Sequence, residues 1–237
     1  MGAGAGWQGI AFRPAGAAMS GKAVVWVLLV FGMTLCVQLP AAWVARGFHL
    51  PLQAAHGSVW QGQAQQLGPV GPLRWSVQPW RMQATAQFGF QGQAWQLRAE
   101  GWPWRWQLEA KAMGTAATVA TDYRLAGQWQ GEVRVQGAGR QCLASQGRVT
   151  VSDLALSAPW SLGLGQGWLE MDCRSGWRLR GQLAQHGQHH LVVDADLPAR
   201  RAQVGFELQP EATLAPLLRA AQWLGPQALA GQRDLRW

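Results

Sequence analysis

Two hydrophobic patterns divide the chain. From Ala23 to Ala45 the run AVVWVLLVFGMTLCVQLPAAWVA holds 23 residues without a charge. A helix of that length rises roughly 34 Å, enough to cross the ~30 Å hydrocarbon core of a bilayer. Trp26 and Trp43 stand near its ends, where amphipathic rings settle at headgroup level, so the run predicts an N-terminal transmembrane helix. A cleaved signal peptide is the rival reading, because the run follows Lys22 and is trailed by Pro40 and small residues. A cut after Ala45 would, however, put bulky Trp43 where cleavage requires a small side chain. Arg13 and Lys22 precede the run with no acidic residue before them, and Arg46 follows. That bias places the N-terminus inside and everything after Arg46 outside the cytoplasm.

From Gly57 the period becomes two. Leu73, Trp75 and Val77 alternate with Arg74, Ser76 and Gln78, and Met82, Ala84, Ala86 and Phe88 with Gln83, Thr85 and Gln87. The same alternation runs through Trp95, Leu97 and Ala99, then through Trp102, Trp104, Trp106, Leu108 and Ala110. It returns at Val133 and Val135, Val149 and Val151, Leu169 and Met171, Leu179 and Leu183, Leu191 and Val193, and Val204, Phe206 and Leu208. Short alternating runs punctuated by Gly predict a largely antiparallel sheet with one buried face. One helical stripe, Leu214, Leu217, Leu218, Ala221 and Leu224, ends at Gly225-Pro226 and predicts a C-terminal helix packed on the sheet. A final strand is expected within 232–237. WQGQAQQL at 60–67 is echoed by FQGQAWQL at 90–97, which reads as one hairpin motif used twice, each Gly at a bulge or bend.

The expected organisation is a disordered cytoplasmic leader over 1–22, the transmembrane helix over 23–45, a connector over 46–56 and a β-rich domain over 57–237. The fold class is mainly β, a curved, half-barrel-like antiparallel sheet with one C-terminal helix.

Composition adjusts this picture modestly. The chain has no Asn and one Ile against 30 Gly and 16 Trp. The depleted residues have A/T-rich codons, so a GC-rich coding sequence accounts for part of the bias. Net charge is +8, yet all 12 acidic residues lie at or after Glu100, while six basic residues and no acid precede it. The positive excess therefore flanks the apolar run, where it favours anionic lipid. No dense Lys/Arg cluster tracks a phosphate backbone, so nucleic acid is not an expected partner. Cys36 lies within the apolar run, leaving Cys142 and Cys173 as the one possible pair in an exported domain. A disulfide between them is the expectation, and two buried thiols the alternative.

Catalytic chemistry is sparse. The chain has no G-x-S-x-G, C-x-x-C, H-E-x-x-H or P-loop. His186, His189 and His190 cluster in sequence, with Asp194 and Asp196 nearest. A solvated turn accounts for the histidines better than a metal site does, and charge alternation on an exposed strand accounts for the acids. No catalytic, metal or cofactor residue is assigned, and no cofactor or small-molecule substrate is expected. Trp102, Trp104 and Trp106, read as one strand face, are expected to fill core or line an apolar groove for a partner strand or a lipid chain.

The run Gly57 to Leu67, GSVWQGQAQQL, followed by Leu73 to Pro79, LRWSVQP, resembles the opening of the periplasmic part of the type II secretion system protein N (general secretion pathway protein N) family. The resemblance continues through Cys142 and Gly147-Arg148-Val149, Cys173 and Gly176, and the Leu-rich segment near 214–224. It implies a bitopic protein of the bacterial inner membrane with its bulk in the periplasm. It also implies an accessory role in secreting folded proteins across the outer membrane, secretion-system subunits as partners, and no enzymatic activity. Such proteins also look distantly like AsmA-type envelope proteins, whose sheets hold lipid. Membrane lipid is thus a second expected partner.

Overall fold

The computed structural model describes residues 21–117, 123–159 and 161–237. Two compact units divide the chain, Met1–Gln38 and Leu39–Trp237. Apart from Gly21 and Lys22, the leader expected over 1–22 lies outside the described residues.

In the first unit, α1 (Gly21–Gln38) exposes apolar side chains on every side, from Val24 and Trp26 to Leu35 and Val37. The single helix expected through Ala45 does not form. Pro40 has no N–H to give and disfavours helical backbone at Leu39. Its own backbone is extended (φ −65°, ψ 132°), and it bridges Ser58 instead. A separate helix, α2 (Ala41–Gly47), follows in the second unit, carrying Trp43 exposed and Ala41 and Ala45 buried. Trp26 and Trp43 therefore do not flank one helix. Among the described residues no helix is long and apolar enough to cross a membrane, which says nothing of a β-barrel.

The second unit is built on one open antiparallel sheet of 15 strands. Four short strands open it: β1 (Leu52–Gln53), β2 (His56–Gly57), β3 (Gln61–Ala64) and β4 (Gln66–Leu67). A meander follows, each strand pairing with the next: β5 (Val70–Gln78), β6 (Gln83–Phe90), β7 (Gln93–Trp102), β8 (Arg105–Thr115) and β9 (Arg124–Ala138). It continues through β10 (Gln141–Ala158), β11 (Leu162–Asp172), β12 (Arg178–Gln185), β13 (His189–Asp196), β14 (Arg201–Leu208) and β15 (Ala230–Arg236). The short connections make this arrangement cheap to close, because nearly every pairing is local.

Register carries the period-two pattern from strand to strand. Trp75 lies opposite Ala86, Ala86 opposite Leu97, Leu97 opposite Ala110, and Ala110 opposite Val133. Beyond β9, Val149 faces Leu169, Leu183 faces Leu191, and Leu191 faces Phe206. One surface is thus apolar from β3 to β14, while residues such as Gln87, Glu109, Arg134 and Arg180 occupy the other. A slip by one residue would exchange the two faces, so the pattern itself fixes the register.

The expected C-terminal helix is present but short, α3 (Ala215–Ala220), with Pro216 in its first turn. The segment joining β14 to β15 folds over the apolar surface, so that Phe206, Leu208, Ala212, Leu214, Ala215 and Leu224 form a buried cluster. The echoed segments are not structural repeats. Gly62 sits within β3 opposite Trp75, whereas Gly92 sits in the β6–β7 turn with φ +77°.

Candidate functional site

Away from the α3 cluster, the apolar surface of the sheet is only half-covered. Trp95, Leu97, Leu108, Leu169 and Leu183 are all partly exposed. A cavity of about 230 Å³ opens on this surface over β9 to β14, lined by Trp129, Val151, Leu154, Leu169, Leu183 and Val193. Its walls offer contact area and few polar groups, so its chemistry suits an apolar chain or an apolar side chain. Trp95 and Trp129 meet edge-to-face on the same surface, with centroids 5.7 Å apart.

The opposite face is charged, and several of its arginines pair with carboxylates across the strands. Arg134 of β9 pairs with Glu109 of β8 at 3.2 Å and with Glu132 at 2.7 Å. Arg148 reaches Glu170 at 2.7 Å while lying over the Trp168 ring, 4.6 Å from its centroid. Arg180 bonds Asp172 at 2.9 Å, and Arg178 bonds Asp194 at 3.0 Å. Asp194 is therefore held by cross-strand arginines, and Asp196 accepts the Ala199 N–H in a turn. Pairs of this kind contribute under about 1 kcal/mol each and act chiefly to reject wrong registers. A cleft of about 510 Å³ near β3, β5 and β6 is lined by His56, Gln61, Arg74, Ser76, Thr85 and Gln87.

The three histidines do not converge. His186 is in the β12–β13 turn, His190 points to the charged face, and His189 lies on the apolar face, 4 % exposed. Among the described residues no group of three or more His, Cys, Asp or Glu could hold a metal ion. His189 Nε2 lies 3.1 Å from the Leu164 carbonyl, so this nitrogen carries the proton and donates.

The tryptophans correct the strand reading. Pro103 cannot donate to a ladder and makes the β7–β8 turn, so Trp102 and Trp104 flank that turn rather than share a strand. They are 50 % and 68 % exposed and stack on each other with centroids 5.0 Å apart. Neither is core, and neither lines the apolar cavity. Trp106, on β8, stacks on Trp177 at 5.4 Å and donates to the Gly139 carbonyl at 3.0 Å. Cys142 and Cys173 are joined by a disulfide, with Cα atoms 5.2 Å apart, tying the start of β10 to the end of β11.

A family model for type II secretion system (T2SS), protein N matches residues 49–236. The chain belongs to the protein N family. The match spans every strand of the sheet and leaves α1 outside it. The search of curated proteins and the search of solved structures each return no match. Membership makes this chain a type II secretion system component that works with other subunits of that system.

Within this family member, two features escaped sequence reasoning. The Trp106–Trp177 stack joins residues that no spacing relates, and the arginine–carboxylate ladder requires the register. His189 gives a pH prediction. Burial lowers its pKa below the ordinary 6.5, the Leu164 bond opposing that shift. The unfolded chain thus binds the proton more readily, so stability is full above 6.5 and declines as pH falls below it. Thermal melts between about pH 7.5 and 5 should show Tm falling on the acid side, with a shallower fall in His189→Gln.

Proposed function

We propose that this family member is an inner-membrane-anchored accessory subunit that supports secretion of folded proteins across the outer membrane by contact through its sheet, without an active site. The observation that carries the reading is the apolar surface from β3 to β14, left half-covered in a chain of a secretion family. An open sheet offers unpaired edges as well as that surface, and both bind by strand addition or apolar insertion. Bulges where β10 meets β9 and β11 bend the strands, which supports a bowed, half-barrel-like form.

Anchoring is assigned to the apolar N-terminal segment that contains α1, because its exposed Val, Leu and Phe side chains favour lipid over water, although α1 by itself falls short of a full span. The bulk of the chain then lies in the periplasm, the compartment that suits the Cys142–Cys173 bond. Leu29→Arg should weaken insertion by about 2.5–3.5 kcal/mol and move protein from the membrane fraction into the soluble fraction after carbonate washing. Unchanged partition would contradict the anchor, and so would mature protein beginning near Arg46.

The 230 Å³ apolar cavity favours a second reading, an AsmA-like sheet that holds lipid. Copurification of the tagged full chain from native membranes separates the two. Secretion-system subunits in stoichiometric amounts support the contact reading, and phospholipid without those subunits supports the other.

A further inference from the structure

The turns at one end of the sheet form a continuous rim. Gly101 N–H donates to the Met82 carbonyl at 2.9 Å, and Gly139 N–H to Pro103 at 2.7 Å. Trp177 Nε1 donates to Arg140 at 2.9 Å, Leu197 N–H to Trp177 at 3.0 Å, and Trp237 N–H to Arg200 at 3.3 Å. Hydrogen bonds thus tie the β5–β6, β7–β8, β9–β10, β11–β12 and β13–β14 turns and the end of β15 side by side.

Each of these five turns, or the strand residue that closes it, carries an exposed arginine: Arg81, Arg105, Arg140, Arg174 and Arg200, the last followed by a second, Arg201. None of the five takes part in an ion pair among the described residues, whereas Arg98, Arg134, Arg148, Arg178 and Arg180 within the strands each pair with a carboxylate. No acidic residue lies in the turns 79–82, 102–105, 138–141, 173–177 or 197–200. Between these charges stand exposed rings: Trp80 (78 %), Trp102 (50 %), Trp104 (68 %) and Trp237 (59 %). Indole rings beside unpaired guanidinium groups match a headgroup layer, where the ring takes the apolar boundary and the cation takes phosphate.

The chain also enters the sheet unit at this end. The Leu39 carbonyl accepts the Val59 N–H at 3.0 Å, Pro40 bridges Ser58, and the Trp60 carbonyl accepts Val77 N–H beside the Pro79 turn. The first residues of the sheet unit, Leu39 and Pro40, are therefore held at the rim end of the sheet.

We propose that this rim is a lipid-docking edge that rests on the anionic phospholipid headgroups of the bilayer in which the N-terminal segment is anchored. The proposal rests on that anchoring. It assigns the strand-end arginines and tryptophans to lipid, leaving the apolar face and the sheet edges to protein.

The test uses the full chain in nanodiscs of phosphatidylcholine alone or with phosphatidylglycerol at roughly three to one. A photoreactive benzophenone amino acid replaces Ala199 in a rim turn or, as control, His186 in a turn at the opposite end. Mass spectrometry should find phospholipid adducts at position 199, several-fold above those at 186 and dependent on phosphatidylglycerol. Arg105→Gln with Arg140→Gln, both at exposed positions, should lower the yield at 199 by roughly tenfold. Equal labelling at the two positions, labelling independent of phosphatidylglycerol, or no adduct at 199 in loaded discs would overturn the docking edge. A chain that does not enter the discs overturns the anchor instead. The rim is then tested by floating the same chain with vesicles of the same two compositions, where adducts at 199 support it and their absence overturns it.

Discussion

Phe206→Ala should cost about 3–5 kcal/mol of stability, the largest effect of any single core truncation in this chain. Phe206 is 2 % exposed and lies in the cluster formed by Leu208, Leu214, Ala215 and Leu224. On its other side it covers Gly231 of β15, where an added Cβ would stand 2.7 Å from the ring. Removing the ring leaves a gap between the sheet and the segment that folds over it, and uncovers Gly231 of β15. Gly231→Val should be destabilising for the converse reason, since it drives a branched side chain into the same ring. Urea denaturation monitored by tryptophan fluorescence checks both. A loss below about 1 kcal/mol in Phe206→Ala would show that the cluster is not a structural centre.

The second large effect concerns the disulfide. Cys142→Ser with Cys173→Ser should lose roughly 3–4 kcal/mol by the chain-entropy estimate, because the bond closes a loop 31 residues apart in sequence. The bond also holds the start of β10 beside the end of β11, close to the stacked Trp106–Trp177 pair. Trp106 covers Gly137, whose added Cβ would fall inside the indole ring, so this corner depends on close approach as well as on the cross-link. Thermal melts with and without reductant should show the wild type falling to the Tm of the double variant. If reductant leaves the wild-type Tm unchanged, the cross-link is not stabilising the chain.

Much of the sheet was legible because alternation is a local signal. Leu73-Arg74-Trp75-Ser76-Val77 states which residues share a face, and the register only had to align those faces. The C-terminal helix was legible from Leu214, Leu217 and Leu218, and its brevity follows from the break after Ala220. Pro positions were the misread ones. Pro40 ended a run whose hydropathy continued, and Pro103 ended a strand whose tryptophan spacing continued, because a missing N–H outweighs side-chain pattern. The His186, His189 and His190 cluster dissolved for a related reason: neighbours on a strand point to opposite faces. The candidate site was half legible. Its apolar residues could be named, but that they remain half-covered depends on how little chain folds back over the sheet.

The claim that this secretion component works by contact through its apolar surface, and not through a polar site, is tested most directly by complementation of secretion in a strain lacking it. Leu183→Asp, in the cavity wall, should abolish or strongly reduce export of a folded substrate, with normal protein level and near-native circular dichroism. Substitutions of His186, His189, His190, Asp194 and Asp196 should leave export unchanged. Loss of export from any of those five changes in a folded protein, or full export in Leu183→Asp, would contradict the account.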